Sequence, residues 1–387
     1  MVDIEDLIES CIESQGYFFK FISPNDTSRT GAHQSGIYMP KAVWSLFFET
    51  PGTKDEKKDA LIRVRWHDGR ETDSRFIWYA SKTEYRLTRG ASFLTSDEVG
   101  DLFVMARVGT SEYRAYVLSS DEETEAFLVG LGLSPEDAGR IHRSRARQIA
   151  EVEDEFIVMF NRWIATVKED FPVTATVSRT AREFVEALRR GTAGTTPDQD
   201  IVEWIDAEYR LFRLIEESRY VEYLTKPFQS VELLVEVANR ILNRRKSRAG
   251  RSLENHLEHL FTRLQIPYTN NGKTEGNKQP DFIFPGIAEY RDRSFPTEHL
   301  RFLGAKTTCK DRWRQILNEA NRIEIKHLMT LQQSISANQL REMQEENVIL
   351  VVPATNVRSF PREYQPKLIT LERYVDELVG LYRVRPN

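Results

Sequence analysis

Asp281 and Lys306 are the two residues of this sequence whose types and spacing fit the hydrolysis of a phosphodiester. That reaction needs a hard metal ion held by oxygen ligands, a water activated on it, and a cation that neutralises the charge developing on the phosphorane. Asp281 lies in the short apolar run 280–285, and Lys306 lies in the run 303–308. Both runs predict strands, and the loop between them is long enough for the strands to be neighbours. A carboxylate and an ammonium would then converge at one edge of a sheet.

Gly304 stands where many nucleases with this pattern carry an acidic residue, two positions before the lysine. A second carboxylate must therefore come from elsewhere, and Glu319 is the best candidate. The sequence predicts a helix from about residue 311 to about residue 325. Arg312 and Glu319 would lie on nearly the same side of that helix and point along the sheet edge.

Glu254 is a further acidic candidate. Ser252 is predicted to cap a helix with an apolar stripe, and the helix N-terminus would favour the charged form of Glu254. Taken alone, Asp281 and Lys306 are a weak signal, because an aspartate after a proline is more often a turn or cap residue than a metal ligand.

Other chemistries find little support in the sequence. His256, Glu258 and His259 evoke a zinc protease, but the histidines are spaced i, i+3 rather than i, i+4, and no third ligand is evident nearby. We expect these histidines to be either hydrogen-bonded within the fold or exposed to solvent. The sequence also shows no glycine-rich phosphate loop and no convincing Ser-His-Asp arrangement, so neither nucleotide hydrolysis nor acyl transfer is supported.

The composition is that of a globular protein with two domains, because 387 residues exceed the usual size of one hydrophobic core. A net charge of -5 argues against unspecific coating of nucleic acid, although local basic clusters can still contact phosphates. No apolar run approaches the roughly 20 residues that span a bilayer, and no secretory signal is visible. Two distant cysteines fit a reducing cytoplasm. The two basic clusters consist of Arg240, Arg244, Arg245, Lys246, Arg248 and Arg251, and of Lys306, Lys310, Arg312 and Arg314.

The organisation of the chain changes twice. Short aromatic and β-branched runs separated by turn signals extend to about residue 118 and predict a mainly β, barrel-like domain. Helical periodicity follows, with Ile149, Val152 and Phe156 among its apolar positions, and it breaks at 171–176. We place the domain boundary there, which divides the chain into 1–170 and 171–387. The last part alternates helices with strand-like runs, including 327–331 and 348–352, and predicts an α/β domain.

Three unusual stretches, 244–254, 274–282 and 306–319, closely resemble the EcoRII-like restriction endonucleases. The likeness covers nearly the whole chain and is strongest from about residue 235 onward. It implies a PD-(D/E)XK-type catalytic domain that uses Mg²⁺, with Glu319 supplying the carboxylate that is missing at Gly304. The resemblance assigns the catalytic positions to Asp281, Lys306, Glu319, Glu254, Tyr290 and Lys310, and the metal ligands to Asp281 and Glu319.

Lys310, Asp311 and Arg312 are candidates for sequence recognition. A guanidinium can read guanine O6 and N7, and a carboxylate can accept from cytosine N4. In the related enzymes the equivalent segment reads the C:G pairs of a CC…GG site. The alternative is that Asp311 caps the predicted helix and that the two cations are merely solvated.

The N-terminal half resembles the B3-like effector domain of the same family. Segments 31–40 and 83–89 match its DNA-contacting segments, although Tyr85 stands where the family has a lysine, which puts one contact in doubt. Without the resemblance, His33 and Tyr38 would be ordinary loop and strand residues. The residues that carry over are His33, Tyr38, Lys82, Glu84, Arg86 and Arg89.

The resulting hypothesis is a homodimeric type II restriction endonuclease of the prokaryotic cytoplasm that associates with the nucleoid when acting. It would cut double-stranded DNA at a CCWGG-like site and be controlled by a second site bound at the N-terminal domain. Two rivals stay open at this point. One is a DNA-binding regulator with an inactive nuclease half, and the other is a structure-specific repair nuclease.

Overall fold

Two β-sheets organise the chain, one in each half. The computed structural model describes residues 2–27, 36–143, 155–189 and 194–382. In this part of the chain the first sheet has seven strands and the second has six. A mainly β half is thus followed by an α/β half, as the sequence predicts.

The N-terminal sheet is largely antiparallel. Its strands are β1 (Tyr17–Phe21), β2 (Ile37–Met39), β3 (Lys58–Trp66), β4 (Glu71–Tyr79), β5 (Glu84–Thr88), β6 (Leu102–Arg107) and β7 (Glu112–Leu118). Their order is β1-β6-β7-β3-β4-β5-β2, and β3 and β7 form the parallel pair within it. Two helices, α1 (Ile4–Glu13) and α2 (Asp121–Leu131), pack against each other beside this sheet.

The N-terminal sheet curls so that its two edges approach each other. Lys20 of β1 donates to the backbone carbonyl of Tyr38 in β2 at 2.9 Å and to Asp26 at 2.7 Å. Along β3, buried Val64 and Trp66 alternate with exposed side chains, because successive residues of a strand face opposite sides. The buried side chains fill the inside of the curl, which gives the barrel-like shape.

The C-terminal half begins with four helices and continues into a mixed sheet. The helices are α3 (Glu155–Thr166), α4 (Thr174–Leu188), α5 (Pro197–Thr225) and α6 (Val231–Arg263). The strands are β8 (Thr269–Asn270), β9 (Phe282–Phe284), β10 (Arg301–Lys306), β11 (Lys326–Thr330), β12 (Val348–Val352) and β13 (Ile369–Thr370). Three further helices are α7 (Ile287–Arg291), α8 (Ala337–Glu345) and α9 (Leu371–Tyr382). Strands β10 to β13 run parallel, whereas β9 and β8 are added antiparallel at the β10 edge.

Both faces of the C-terminal sheet are covered. One apolar cluster joins the sheet to α4, α5, α6 and α9, and a second cluster on the other side includes Trp313 and Ile316. Phe160 and Ile164 of α3 belong to the first cluster, so α3 packs with the C-terminal half, although the predicted boundary near residue 171 placed it with the N-terminal half. Ile149 and Val152 lie outside the described residues.

Two helix predictions are wrong in their bounds. Ser252 does not begin a helix but lies buried within α6, whose actual N-cap is Ser230. The helix continues through the basic stretch because its arginines have partners, for example Arg245 with Glu216 at 2.9 Å. The helix predicted over 311–325 is only the short 3-10 helix Arg312–Ile316, and Ala320, with a φ of 47°, is incompatible with α-helix beyond it.

Among the described residues, no helix is long and apolar enough to cross a membrane.

Candidate active site and DNA-binding surfaces

Asp281 and Lys306 meet at the junction of β9 and β10. Asp281 immediately precedes β9, Lys306 ends β10, and the two strands pair antiparallel. One carboxylate oxygen of Asp281 accepts from the backbone N–H of Ala305 at 2.7 Å and lies 3.4 Å from the Lys306 ammonium. The structure therefore brings together the two residues on which the sequence analysis rests.

Glu254 and Glu319 lie close enough to Asp281 to be affected by its charge. Burial, followed by the charge of Asp281, raises the pKa of each glutamate to about 7, against a smaller opposing effect of Lys306. The expectation that a helix N-terminus favours the charged form of Glu254 is wrong, because this residue lies well inside α6. A site in which two glutamates resist ionisation beside an aspartate is suited to receiving a cation.

Gly304 is explained by what packs above it. A Cβ atom at this position would lie 3.0 Å from Ile316 Cγ2 and 3.3 Å from Leu328 Cδ1. Ile316 belongs to the 3-10 helix that leads to Glu319, so the missing side chain on β10 makes room for the segment that carries the second carboxylate.

The oxygen donors fit a divalent cation of the magnesium type. Within the residues that the structure describes, no group of three or more His, Cys, Asp or Glu side chains is arranged to hold a metal ion by itself. Mg²⁺ does not require such a cage, because it is usually bound through one or two carboxylates, several waters and substrate phosphates. Asp281 and Glu319 satisfy that smaller requirement, with Glu254 adjacent.

Tyr290 has a different environment from the one expected for a catalytic residue. Its hydroxyl lies 2.6 Å and 2.7 Å from the two carboxylate oxygens of Glu275 and accepts from the backbone N–H of Arg322 at 3.2 Å. Burial and the bond to Glu275 raise the pKa of Tyr290 to about 12. The tyrosine therefore supports the turn that follows Glu319, and its hydroxyl is engaged there.

The predicted reading segment, Lys310 to Arg312, contacts the N-terminal half. The carboxylate of Asp121 accepts from the three consecutive backbone N–H groups of this segment, at 3.2 Å, 2.7 Å and 3.0 Å. In return, the backbone N–H of Asp121 donates to the side chain of Asp311 at 3.1 Å. Asp311 stands at the N-cap position of the 3-10 helix, but its carboxylate makes no capping bond there and accepts from Asp121 instead.

The two cations of the segment are also paired with acids of the N-terminal half. The Lys310 ammonium binds Asp101, and the Arg312 guanidinium binds Glu125. Burial raises the pKa of Asp101 to about 6, and Lys310 offsets part of that effect. Sequence reasoning missed these three acids. Asp121 and Glu125 belong to α2, where acids near the N-terminus are ordinarily explained by the helix dipole, and Asp101 directly precedes β6, where nothing in the sequence marks it.

The basic stretch of α6 is less available for binding phosphates than its composition indicates. Arg245 is bound to Glu216 and also donates to the carbonyl of Gly130 at 2.6 Å, which joins α6 to the end of α2. Arg248 is buried and stacks over the ring of Tyr209 at 3.5 Å. These two arginines serve the packing of the chain rather than a phosphate-binding surface.

On the N-terminal sheet, Tyr38 and Arg86 are opposite each other on β2 and β5. Arg86 donates to Glu84 at 3.0 Å and to the carbonyl of Gly36 at 3.1 Å. The side chains of Lys82 and Arg89 are exposed. His33 lies outside the described residues, so its position relative to this group is not part of the structure.

Tyr85 faces the opposite side of β5 from Glu84 and Arg86. Its ring is buried against Phe76, and its hydroxyl accepts from the backbone N–H of Gly52 at 2.6 Å. This side chain therefore belongs to the core rather than to the side of β5 that carries Glu84 and Arg86.

Comparison with known proteins agrees with this two-part architecture. The family described as EcoRII C terminal matches residues 212–375, and the family described as restriction endonuclease EcoRII, N-terminal, matches residues 11–135. The type II restriction enzyme EcoRII of Escherichia coli is 35% identical over 402 residues, which cover 97% of each chain. The type II restriction enzyme SsoII of Shigella sonnei is 30% identical over 149 residues, covering 36% of this chain and 48% of SsoII.

Solved structures of restriction endonucleases are similar over part of the chain. Metal-depleted Ecl18kI in complex with uncleaved DNA has a TM-score of 0.44 at 21% identity, and covers 60% of this chain and 87% of its own. The PspGI complex with substrate DNA has a TM-score of 0.45 at 15% identity, and covers 56% of this chain and 96% of the PspGI chain.

The fold, the site and the sequence matches together define a type II restriction endonuclease with an N-terminal B3-like domain and a C-terminal nuclease domain. The chain belongs to the EcoRII restriction endonuclease family.

Proposed function

We propose that this protein uses Mg²⁺ to cut both strands of a short palindromic DNA site related to CCWGG. The observation that carries this proposal is the junction of β9 and β10, where Asp281 and Lys306 meet beside two glutamates whose pKa is raised to about 7. Ionising these neighbouring carboxyl groups is energetically unfavourable in the chain alone, and a bound cation would offset that cost.

Each residue of the site has a chemical role in this proposal. Asp281 and Glu319 would hold the ion, which when bound supplies Lewis-acid stabilisation and lowers the pKa of a coordinated water. Lys306, whose ammonium lies 3.4 Å from Asp281, would neutralise negative charge on the scissile phosphate. Glu254 would accept a proton from a water near Asp281, a role that a pKa close to neutrality supports.

Sequence recognition is assigned to Lys310, Asp311 and Arg312. Arg312 can read a guanine through a bidentate contact, and Asp311 can accept from the amino group of a cytosine. A recognition segment that begins four residues after Lys306 would place base reading next to the cleavage chemistry.

Control by a second copy of the site is supported by the contacts between the two halves. Asp101 and Glu125 bind the Lys310 and Arg312 side chains that DNA would use, and Asp121 binds the backbone of the same segment. Side chains of α2 and the proposed catalytic residues Glu254 and Lys306 line one cavity of about 380 Å³, so α2 lies beside the face that DNA has to reach. We infer that this closed arrangement is inactive and that DNA bound through Tyr38, Lys82, Glu84, Arg86 and Arg89, with His33, favours its opening.

A palindromic site is matched most simply by a protein with the same two-fold symmetry, so we propose a homodimer. We further propose that the protein acts in the bacterial cytoplasm, where it associates with the nucleoid.

The test is to map the cleavage ends on plasmids of known sequence with one, two or no CCWGG sites, in the presence and absence of Mg²⁺. Cleavage at fixed ends within these sites, lost in Asp281→Ala and Lys306→Ala, is the expected result. Scattered ends would favour a structure-specific nuclease, and DNA binding without any cleavage would favour a regulator with an inactive nuclease half.

A further inference from the structure

The segment that carries Glu319 has no regular secondary structure to hold it. It follows the 3-10 helix Arg312–Ile316 and runs to the start of β11, and Ala320, next to Glu319, has a φ of 47°. In an α-helix the backbone carbonyls would accept from N–H groups four residues further on. Here that ladder is absent, so buried carbonyls around Glu319 need donors from elsewhere.

Lys326 supplies those donors from beneath the turn. Its ammonium donates to the carbonyl of Glu319 at 2.5 Å, to that of Ala320 at 2.6 Å and to that of Ile323 at 2.6 Å. A lysine ammonium has three N–H donors, and all three are used on this one turn. Only 4% of the residue is exposed, although lysine is among the residues least often buried.

Further contacts fix the other side of the same turn. The backbone N–H of Arg322 donates to Tyr290, and the Arg322 guanidinium donates to the carbonyl of Asp292 at 2.7 Å. These bonds hold the turn against α7, while Lys326 holds it against β11. The position of the Glu319 carboxylate is therefore set by side-chain bonds rather than by a helix or a strand.

We infer that Lys326 is a positioning residue, which fixes the turn of Glu319 so that its carboxylate faces Asp281. Glu319 is the one of the proposed ligands that does not adjoin a strand of the sheet, so it depends on a dedicated support. Groups that orient ligands in this way typically change metal affinity or activity by about 10- to 100-fold when removed. The inference rests on the proposed function, because it assumes that Glu319 is a metal ligand.

The experiment compares two variants of Lys326 in the full-length protein. Lys326→Met keeps an unbranched apolar side chain but removes every donor, whereas Lys326→Gln keeps an amide with two N–H donors. Leu350→Ala is the matched control, because Leu350 is a buried residue of the apolar cluster on the same side of the sheet and does not contact these carbonyls through a donor. Binding of Mn²⁺ to the protein with DNA is followed by electron paramagnetic resonance, together with kcat, KM and the melting temperature.

In Lys326→Met we expect about a 10-fold or greater rise in the half-saturating Mn²⁺ concentration and a matching fall in kcat, with KM for DNA unchanged within about two-fold. Lys326→Gln should lie between this variant and the wild type, and it carries the test if Lys326→Met does not fold. Leu350→Ala should lower the melting temperature and leave Mn²⁺ affinity intact.

Two results would overturn the inference: wild-type Mn²⁺ affinity in the Lys326 variants, or equal losses of affinity in Leu350→Ala and Lys326→Met at equal melting temperature. If the wild-type protein itself binds no Mn²⁺, the metal site under "Proposed function" is wrong and the role of Lys326 falls with it.

Discussion

Replacing Asp121 by alanine should release the reading segment from the N-terminal half. The Asp121 carboxylate accepts from three backbone N–H groups across the interface, at distances of 2.7 to 3.2 Å, and the residue is only 3% exposed. In the open state both partners are hydrated, so each bond contributes a net of about 1 kcal/mol rather than its full strength. The sum, about 3 kcal/mol, corresponds to about a 100-fold shift in the equilibrium between closed and open forms.

The rate of cleavage should follow that shift until the open form predominates. A protein whose open form is populated at about 1% would reach about half opening after a 100-fold shift, so the rate on a single-site plasmid should rise by about 50-fold. A fragment that begins near residue 155 should approach the upper limit, because it keeps α3 with the core it packs in and lacks the three acids altogether. The assay is single-turnover cleavage of a plasmid that carries one site, with the melting temperature of each variant measured in parallel.

Glu122→Ala is the matched control, because it removes the same charge from the next residue of α2 but from an exposed side chain. We expect it to cut at the wild-type rate. If Asp121→Ala and Glu122→Ala both cut at that rate, the bonds of Asp121 do not hold the enzyme inactive. If both accelerate cleavage equally, a general electrostatic effect of α2 has to replace the specific contact.

Three further predictions follow from single contacts. Gly304→Ala should lower the free energy of unfolding by about 1–3 kcal/mol, because the added Cβ would press on Ile316. Chemical denaturation measures this change, and unchanged stability would show that the packing around Gly304 is loose. Because the pKa of Glu254 and of Glu319 is raised from 4.5 to about 7, their contribution to stability is complete below pH 4.5 and is lost as the pH rises through about 7. Saturating Mg²⁺ should therefore raise the melting temperature more at about pH 8 than at about pH 6, and an equal rise at both would contradict this. Tyr85→Phe should cost about 1 kcal/mol of stability without weakening DNA binding by the N-terminal half, because it removes one buried hydrogen bond. Arg86→Ala should weaken that binding. Electrophoretic mobility shifts compare the two variants, and the opposite order would place Tyr85 at the DNA surface.

The sequence predicts those parts of the fold that have a periodic pattern and a local cause. The strand containing Phe282 and the strand ending at Lys306 are confirmed, and their pairing brings Asp281 to Lys306 as predicted. Periodicity fails in the segment 317–325, because an apolar residue in a left-handed conformation, such as Ala320, gives no signal of its own in a sequence. Where tertiary hydrogen bonds end a helix, local helix propensity does not reveal the end point.

Contacts between the two halves were beyond sequence reasoning for a related reason. Asp121 and Glu125 occur in a helix that begins with the capping box of Ser120 and Glu123, and such acids are fully explained by the helix that contains them. Their second role depends on a partner about 190 residues away, which no local pattern encodes. The start of α6 was also missed. This part of the helix has no apolar stripe that would predict it, and its arginines are bound by Asp170 and Glu216, which are distant in sequence.

The second carboxylate and the reading segment share one anchor. Lys310 and Glu319 are the ends of a continuous segment whose middle is fixed by Trp313 and Ile316, both only 1% exposed. A carboxylate at position 304 would have been fixed by β10 alone and would have been independent of the residues proposed to read DNA. With glycine at that position, Ile316 packs directly on the strand, and this packing anchors the segment between the proposed base-reading groups and the turn of Glu319 that Lys326 holds. Under the proposed function, the departure at Gly304 therefore couples recognition to catalysis through the packing of two buried side chains.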